Sequence, residues 1–192
     1  GVDVTQKKRR RERVGHITLS VPVVHIRYFK SLPNKIASLL GIKSKDLEKI
    51  IYYEQYVVVQ PGAAEALGVE ERQLLTEDEY FDILYQIRED NNRHPDDDPE
   101  KFIAMIGGES IEELLKRLDL DSLTQDLRFQ AKTEPSQARK AEALKRLGIV
   151  EGFREANSRM ENRPEWMVMR VIPVIPPELR PLVPLASARS RA

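Results

Sequence analysis

Apolar residues recur along this chain with two different periods. Near the start, Ile17, Leu19 and Val21 alternate with smaller or polar residues, which predicts a strand closed by Pro22. The segment Ser31–Gly41 then predicts a short helix. Ser31 would cap it, Pro33 would sit in its first turn and Gly41 would end it. A second helix is expected from Ser44, with Leu47, Ile50 and Ile51 on its buried side. It leads to Tyr56-Val57-Val58-Val59, which has the composition of a strand, and Pro61-Gly62 breaks the chain after it.

The middle is read as helical. Thr76-Glu77-Asp78-Glu79 fits a capping box, in which hydroxyl and carboxylate each take a free backbone N–H. Behind it Phe81, Leu84, Tyr85 and Arg88 share one face. Asn91 to Asp98 reads as a polar loop, and Asp98-Pro99 as a cap followed by a first helical position. Ile111, Leu114, Leu115, Leu118, Leu123 and Leu127 keep helical spacing, predicting one or two helices over 109–130. Another helix is expected from Pro135 to about Ala156, using Ala138, Ala141, Leu144, Leu147 and Phe153. Together these suggest a helical hairpin or small bundle.

Trp166 to Ile172 reads as a strand, followed by Pro173, Pro176, Pro177, Pro181 and Pro184. That spacing forbids a helix or a central strand. Apolar residues fill the gaps, so the segment reads as extended and packed. The expected fold is α+β and mainly helical, with short strands from both ends of the chain and a helical hairpin or bundle between them. The expected divisions are 1–60, 61–160, 161–185 and a tail over 186–192.

Composition narrows the class. The chain has 192 residues, 41% hydrophobic and 32% charged, which is too apolar for a disordered segment. No apolar run approaches the roughly 18 residues that span a bilayer, and no apolar core follows the basic start as in a signal peptide. There is no cysteine, which excludes disulfides and cysteine-ligated metal within these residues. A cytoplasmic setting fits. The first methionine is Met105, so the sequence is expected to be an excised piece.

The 31 Lys and Arg cancel the 31 Asp and Glu, but not locally. Residues 1–60 carry 12 cations and 5 acids, 61–130 carry 7 and 19, and 131–192 carry 12 and 7. The net charges are therefore +7, −12 and +5. Such blocks speak of partners more than the total does. Lys7, Lys8, Arg9, Arg10, Arg11 and Arg13 place six cations in seven positions. Two readings stay open for them: contact with the phosphates of a nucleic acid, or a solvated arm.

Candidate chemistry is otherwise thin. Asp96-Asp97-Asp98 has hard oxygen ligands, yet three consecutive side chains do not aim at one ion, so a solvated loop is the expectation. His16 and His25 are nine apart with a proline between them, which matches no common zinc spacing. Together with His94 they are read as structural or phosphate-facing. There is no Gly-x-Ser-x-Gly elbow, and no Gly-Lys-Ser/Thr follows Gly107-Gly108. No catalytic constellation emerges.

Several stretches resemble the N-terminal part of the β′ subunit of bacterial RNA polymerase. They are Gly1–Gln6, Arg10–Ile17, Ser31–Ile36, Tyr52–Val58, Leu75–Tyr80, Pro164–Met167 and above all the proline-rich run Val171–Leu185. Their order covers about residues 1–185, while 61–160 matches more loosely.

The resemblance implies a non-catalytic segment of the clamp, the pincer that closes over DNA and the RNA–DNA hybrid. It implies that zinc and magnesium are bound outside this segment, the zinc by a ribbon just upstream. The proline-rich run would lead to the lid, although Ala186–Ala192 departs from the family's pattern there. Any enzymatic activity would belong to the parent polymerase, a nucleotidyltransferase, since this segment lacks the active site. Implied partners are the other polymerase subunits, DNA, the RNA–DNA hybrid, and σ or regulatory factors. Lys7 to Arg13 would lie near nucleic acid. Arg180 is the second candidate contact, with pairing to Glu178 or to a backbone carbonyl as its alternative. Two other functions stay open: a free nucleic-acid-binding module, and a protein-interaction domain using the acidic helices.

Overall fold

The structure is a computed structural model, and it describes residues 6–12, 14–95, 97–160 and 162–180. Gly1–Thr5, Arg13, Asp96, Glu161 and everything from Pro181 onward lie outside the described residues, as do the side chains of Lys7 and Met160. The fold is mainly helical α+β. Two compact units divide the chain: one takes 1–20 with 170–192, the other 21–169. Helix α1 (Lys7–Glu12) lies in the smaller unit, and strand β1 (Gly15–Val24) begins there.

In the larger unit, α2 (Ile26–Phe29), α3 (Lys35–Leu40) and α4 (Ser44–Ile51) come first. The cap of α3 is Asn34, not Ser31. Its Oδ1 accepts the Ala37 N–H at 3.0 Å, while its Nδ2 donates to Phe29 O at 2.8 Å, so both ends of a buried amide are satisfied. Ser31 instead donates to Pro33 O. His25 caps α2, its Nδ1 accepting the Arg27 N–H at 3.0 Å.

Strand β2 (Tyr56–Gln60) is the centre of a three-stranded antiparallel sheet, flanked by β3 (Leu74–Leu75) and β4 (Ile103–Met105). Val57 pairs with Leu74 on one side and Met105 on the other. Both flanking strands are too short to show a period in the sequence. Because successive strand residues face opposite ways, Val57 and Val59 enter one core and Val58 another. The first core is built from α3, α4, α6 (Gly107–Lys116), α7 (Leu120–Thr133) and α8 (Gln137–Met160). The second lies under α5 (Glu77–Asn91), with Ala64, Val69, Ile87 and Phe102.

The capping box on α5 forms: Glu79 N–H donates to Thr76 Oγ1, and Thr76 N–H to Glu79 Oε2. The inward face of α5 is one residue away from the expected one. Tyr80, Ile83, Leu84 and Ile87 pack, while Phe81 and Tyr85 are exposed. No helix begins at Pro99. Asp98 caps a turn through the Glu100 N–H, and the chain then enters β4. The 109–130 region does split into two helices, α6 and α7.

Helices α7 and α8 form a hairpin joined by residues 134–136. Its inward side on α8 is Ala143, Leu147, Val150 and Phe153, whereas Leu144 points outward. Ion pairs Arg128–Glu151 and Arg154–Asp121 link the two helices. Helix α8 carries six cations against three carboxylates, so the hairpin is not uniformly acidic.

The ribbon of β1 and β5 (Val168–Val174) brings the two ends of the chain together, and the division between the units falls within both strands. Pro22 does not end β1, and Pro173 lies inside β5. In a two-stranded ribbon each strand has an unpaired edge, so a residue without an N–H is tolerated. The expected strand start at Trp166 is a 3-10 turn, Pro164–Met167, and β5 begins after it.

Candidate nucleic-acid interface

Among the described residues, the smaller unit gathers Lys8, Arg9, Arg10, Arg11 and Arg180, the candidate contacts. Its helix α1 is a run of five cations and one acid. Lys and Arg favour helix, yet like charges three and four residues apart repel, as at Lys7 with Arg10 or Arg11. A helix of six residues is marginal by itself. It therefore gains from any anion placed beside it, and the fold supplies one.

That anion is Glu178, in the 3-10 turn Pro177–Leu179. Arg10 Nη1 lies 3.0 Å from Glu178 Oε1. The turn is rigid for reasons legible in its residues. Pro177 has its φ preset by the ring, Pro176 is buried, and Leu179 N–H closes onto Pro176 O at 2.9 Å. At the other end α1 opens on Gln6 O, which accepts from Arg9 N–H and Arg10 N–H. Farther along, a Cβ added at Gly15 in β1 would meet Val174 in β5 at ordinary van der Waals distance.

Lys8, Arg9 and Arg11 are exposed, and so is Glu12. Arg180 follows the turn directly. Its Nε donates to Ile175 O at 3.2 Å, and its N–H to Pro177 O. Of the two pairings open to Arg180, its Nε takes the backbone carbonyl, and Glu178 goes to Arg10. Nothing in the spacing of the chain links Arg10 to Glu178, which stand 168 positions apart. Arg13 and the Lys7 side chain lie outside the described residues.

Elsewhere Asp98, His94 and His25 do structural work. Asp98 Oδ1 accepts the Glu100 N–H, and Oδ2 lies 2.9 Å from His94 Nδ1. These bonds, the Glu100 N–H first, hold the Asp98 carboxyl below its ordinary range. His25 is the cap of α2, and His16 is exposed on β1. Among the described residues no three His, Cys, Asp or Glu side chains converge as metal ligands. Nor is any helix among them long and apolar enough to cross a membrane.

Two arginines outside these candidates had no signal in the sequence. Arg146 on α8 donates to Ser38 O and Leu39 O, and Arg72 Nη1 donates to Leu40 O at 2.8 Å. Both meet the last carbonyls of α3, the negative end of that helix. Burial, then the nearby charge of Arg72, lowers the Arg146 pKa, and Glu142 works in the opposite sense. This is a structural site.

Comparison with known proteins gives a consistent picture. The family described as RNA polymerase Rpb1, domain 1 matches residues 2–192. A protein of Salinibacter ruber named DNA-directed RNA polymerase subunit beta' is 71% identical over 189 residues, 98% of this chain. Proteins of the same name are 60% identical over 96% of the chain in Amoebophilus asiaticus, and 57% identical over 98% in Flavobacterium psychrophilum. In each case the chain spans 13% of the relative's length.

Proposed function

The chain belongs to the RNA polymerase Rpb1, domain 1 family, and from that premise we propose that it is a non-catalytic clamp segment of a DNA-directed RNA polymerase β′ subunit. In this reading it helps to enclose DNA and the RNA–DNA hybrid during transcription. The other polymerase subunits are its partners, and zinc and magnesium are held elsewhere in the subunit. Nucleotide addition belongs to the whole assembly.

The observation that carries the reading is the convergence of α1 with the turn before Arg180. Exposed Lys8, Arg9 and Arg11 are gathered in one unit with Arg180, from opposite ends of the chain. Cations on a short helix suit phosphate oxygens, which position a nucleic acid without reading its sequence. The strongly acidic stretch that includes α5 suits no such role, because phosphate repels it.

The test is a complete polymerase carrying Lys8→Gln, Arg9→Gln and Arg11→Gln together. The expected result is weaker retention of a DNA–RNA scaffold and a shallower dependence of log affinity on log salt. On duplex DNA the slope should fall by about 0.9 for each phosphate that the variant no longer neutralises. Unchanged retention and slope would sink the reading.

A second reading rests on α5, whose exposed Phe81 and Tyr85 stand among Asp78, Asp82 and Glu89. That face suits a protein partner with basic and apolar groups, such as a regulatory factor. Phe81→Ser with Tyr85→Ser should then remove a partner from the assembled polymerase in a pull-down, and an unchanged partner set argues against it.

A further inference from the structure

A carboxylate beside a phosphate-binding surface needs a reason, because its charge opposes the ligand. Glu178 is such a group, and its surroundings supply the reason. It stands on a turn restrained by Pro176 and Pro177 and closed by Leu179 N–H on Pro176 O and Arg180 N–H on Pro177 O. Arg10, its partner at 3.0 Å, stands on a six-residue helix. The pair joins a rigid support to a soft one.

Helical geometry says what this does to the other cations. Successive residues turn by about 100° round a helix axis. With Arg10 turned toward the proline turn, Arg9 and Arg11 flank it about 100° to either side, and Lys8 and Glu12 face away. We propose that Glu178 is a positioning residue: by holding Arg10 as a strut it sets the roll of α1, so that Arg9 and Arg11 present their guanidinium groups to nucleic-acid phosphates. This rests on the nucleic-acid reading above and divides the labour within it. Arg10 is the tether and its neighbours are the contacts.

Electrostatics and positioning predict opposite signs for one substitution, which makes the test sharp. Glu178→Gln removes a negative charge near the phosphates, so electrostatics alone tightens binding. Loss of positioning weakens it. Complete polymerase carrying Glu178→Gln, Arg10→Glu, or the exchanged pair Arg10→Glu with Glu178→Arg would be titrated with fluorescein-labelled duplex DNA across a KCl series. Expected are a several-fold loss for Glu178→Gln, a larger loss for Arg10→Glu, and recovery by the exchanged pair to within about twofold with the original salt slope. Arg9→Gln and Arg11→Gln should each reduce the slope by about one.

A readout without nucleic acid separates the two claims. Trypsin cleavage after Lys8, Arg9 and Arg11, followed by mass spectrometry, should speed up in Glu178→Gln and return to the original rate in the exchanged pair. Unchanged or tighter DNA binding by Glu178→Gln overturns the proposal, as does an exchanged pair as weak as Arg10→Glu alone. If Arg9→Gln and Arg11→Gln leave the slope unchanged, the nucleic-acid reading fails and takes the proposed contacts with it. The tryptic rates then still decide whether Glu178 orders the arm.

Discussion

Gly41 leaves open the space that Arg146 occupies. A Cβ at position 41 would lie 2.7 Å from Arg146 Nη2, and Gly41 also has a left-handed backbone, with φ +70°. The glycine that ends α3 and the arginine that covers the last carbonyls of α3 are thus one arrangement. Left-handed backbone costs a residue with a side chain about 1–2 kcal/mol. Gly41→Ala should therefore lower the stability of the chain by at least that amount, read as a lower urea midpoint.

Arg146 carries the other half of that arrangement. Arg146→Met keeps the stem but removes the donors to Ser38 O and Leu39 O. The expected loss is about 1–3 kcal/mol, the cost of leaving partly buried carbonyls without donors. Arg146→Lys should recover only part of it, because an ammonium lacks the planar fork that reaches two carbonyls. Equal stability of the Met and Lys variants would count against the hydrogen bonds as the cause.

Two other glycines predict the opposite sign. Gly148 and Gly152 lie inside α8 with nothing within 4 Å of an added Cβ. Gly148→Ala and Gly152→Ala should each raise stability by about 0.5–1 kcal/mol through helix propensity and a less flexible unfolded chain. Gly108→Ala should do the reverse, since its Cβ would collide with Pro22 O, a backbone atom that cannot swing aside. Urea unfolding of the three variants side by side checks the order.

Asn91 ties the end of α5 to β4. Its buried Oδ1 accepts the Phe102 N–H at 2.8 Å, and its backbone carbonyl accepts from Lys101 Nζ. Asn91→Ala strands a buried N–H and should cost about 1–3 kcal/mol. Faster hydrogen exchange at Phe102 is the local signature.

Asp98 gives a pH dependence. Its folded pKa is lowered from 3.8, so its contribution is complete above 3.8 and is lost only as acid carries the pH down through the lower folded value. Near neutral pH this group contributes no pH dependence. The Glu100 amide, bonded to Asp98 Oδ1, should report the titration in NMR with a midpoint below 3.8. Asp98→Ala should abolish it. A midpoint at or above 3.8 would refute the assignment.

Local chemistry was legible in part: neighbours in sequence set the Thr76 cap, yet α3 is capped by Asn34 and not Ser31, and no helix begins at Pro99. The capping box at Thr76, the break at Pro61-Gly62 and the helical character of 109–130 all depend on contacts within a few residues, whereas the choice between one helix and two there did not show in the spacing. Helix faces were less legible. On α5, the apolar Phe81 and Tyr85 could serve the core as well as Tyr80, Ile83 and Ile87, and only the position of the sheet beneath decides which row is buried. Likewise, Leu74-Leu75 is too short to declare itself a strand until Tyr56 and Val57 lie opposite.

For the candidate interface the division is similar. The run Lys7 to Arg13, the prolines and Arg180 are visible one by one in the sequence, and their residue types leave phosphate contact and a solvated arm both open. Family, fold class and the charged blocks were determined there, because composition, periodicity and motif spacing are properties of the chain itself. Tertiary structure alone decided that Glu178 serves Arg10 and that Arg180 turns to Ile175 O. It also decided that Arg146 meets the end of α3. Each of those contacts depends on where the backbone places a donor and an acceptor, and for Arg10 and Arg146 it joins residues more than a hundred positions apart. A charge in a sequence does not say which of many opposite charges it will meet; the packing of the elements that carry the two groups does.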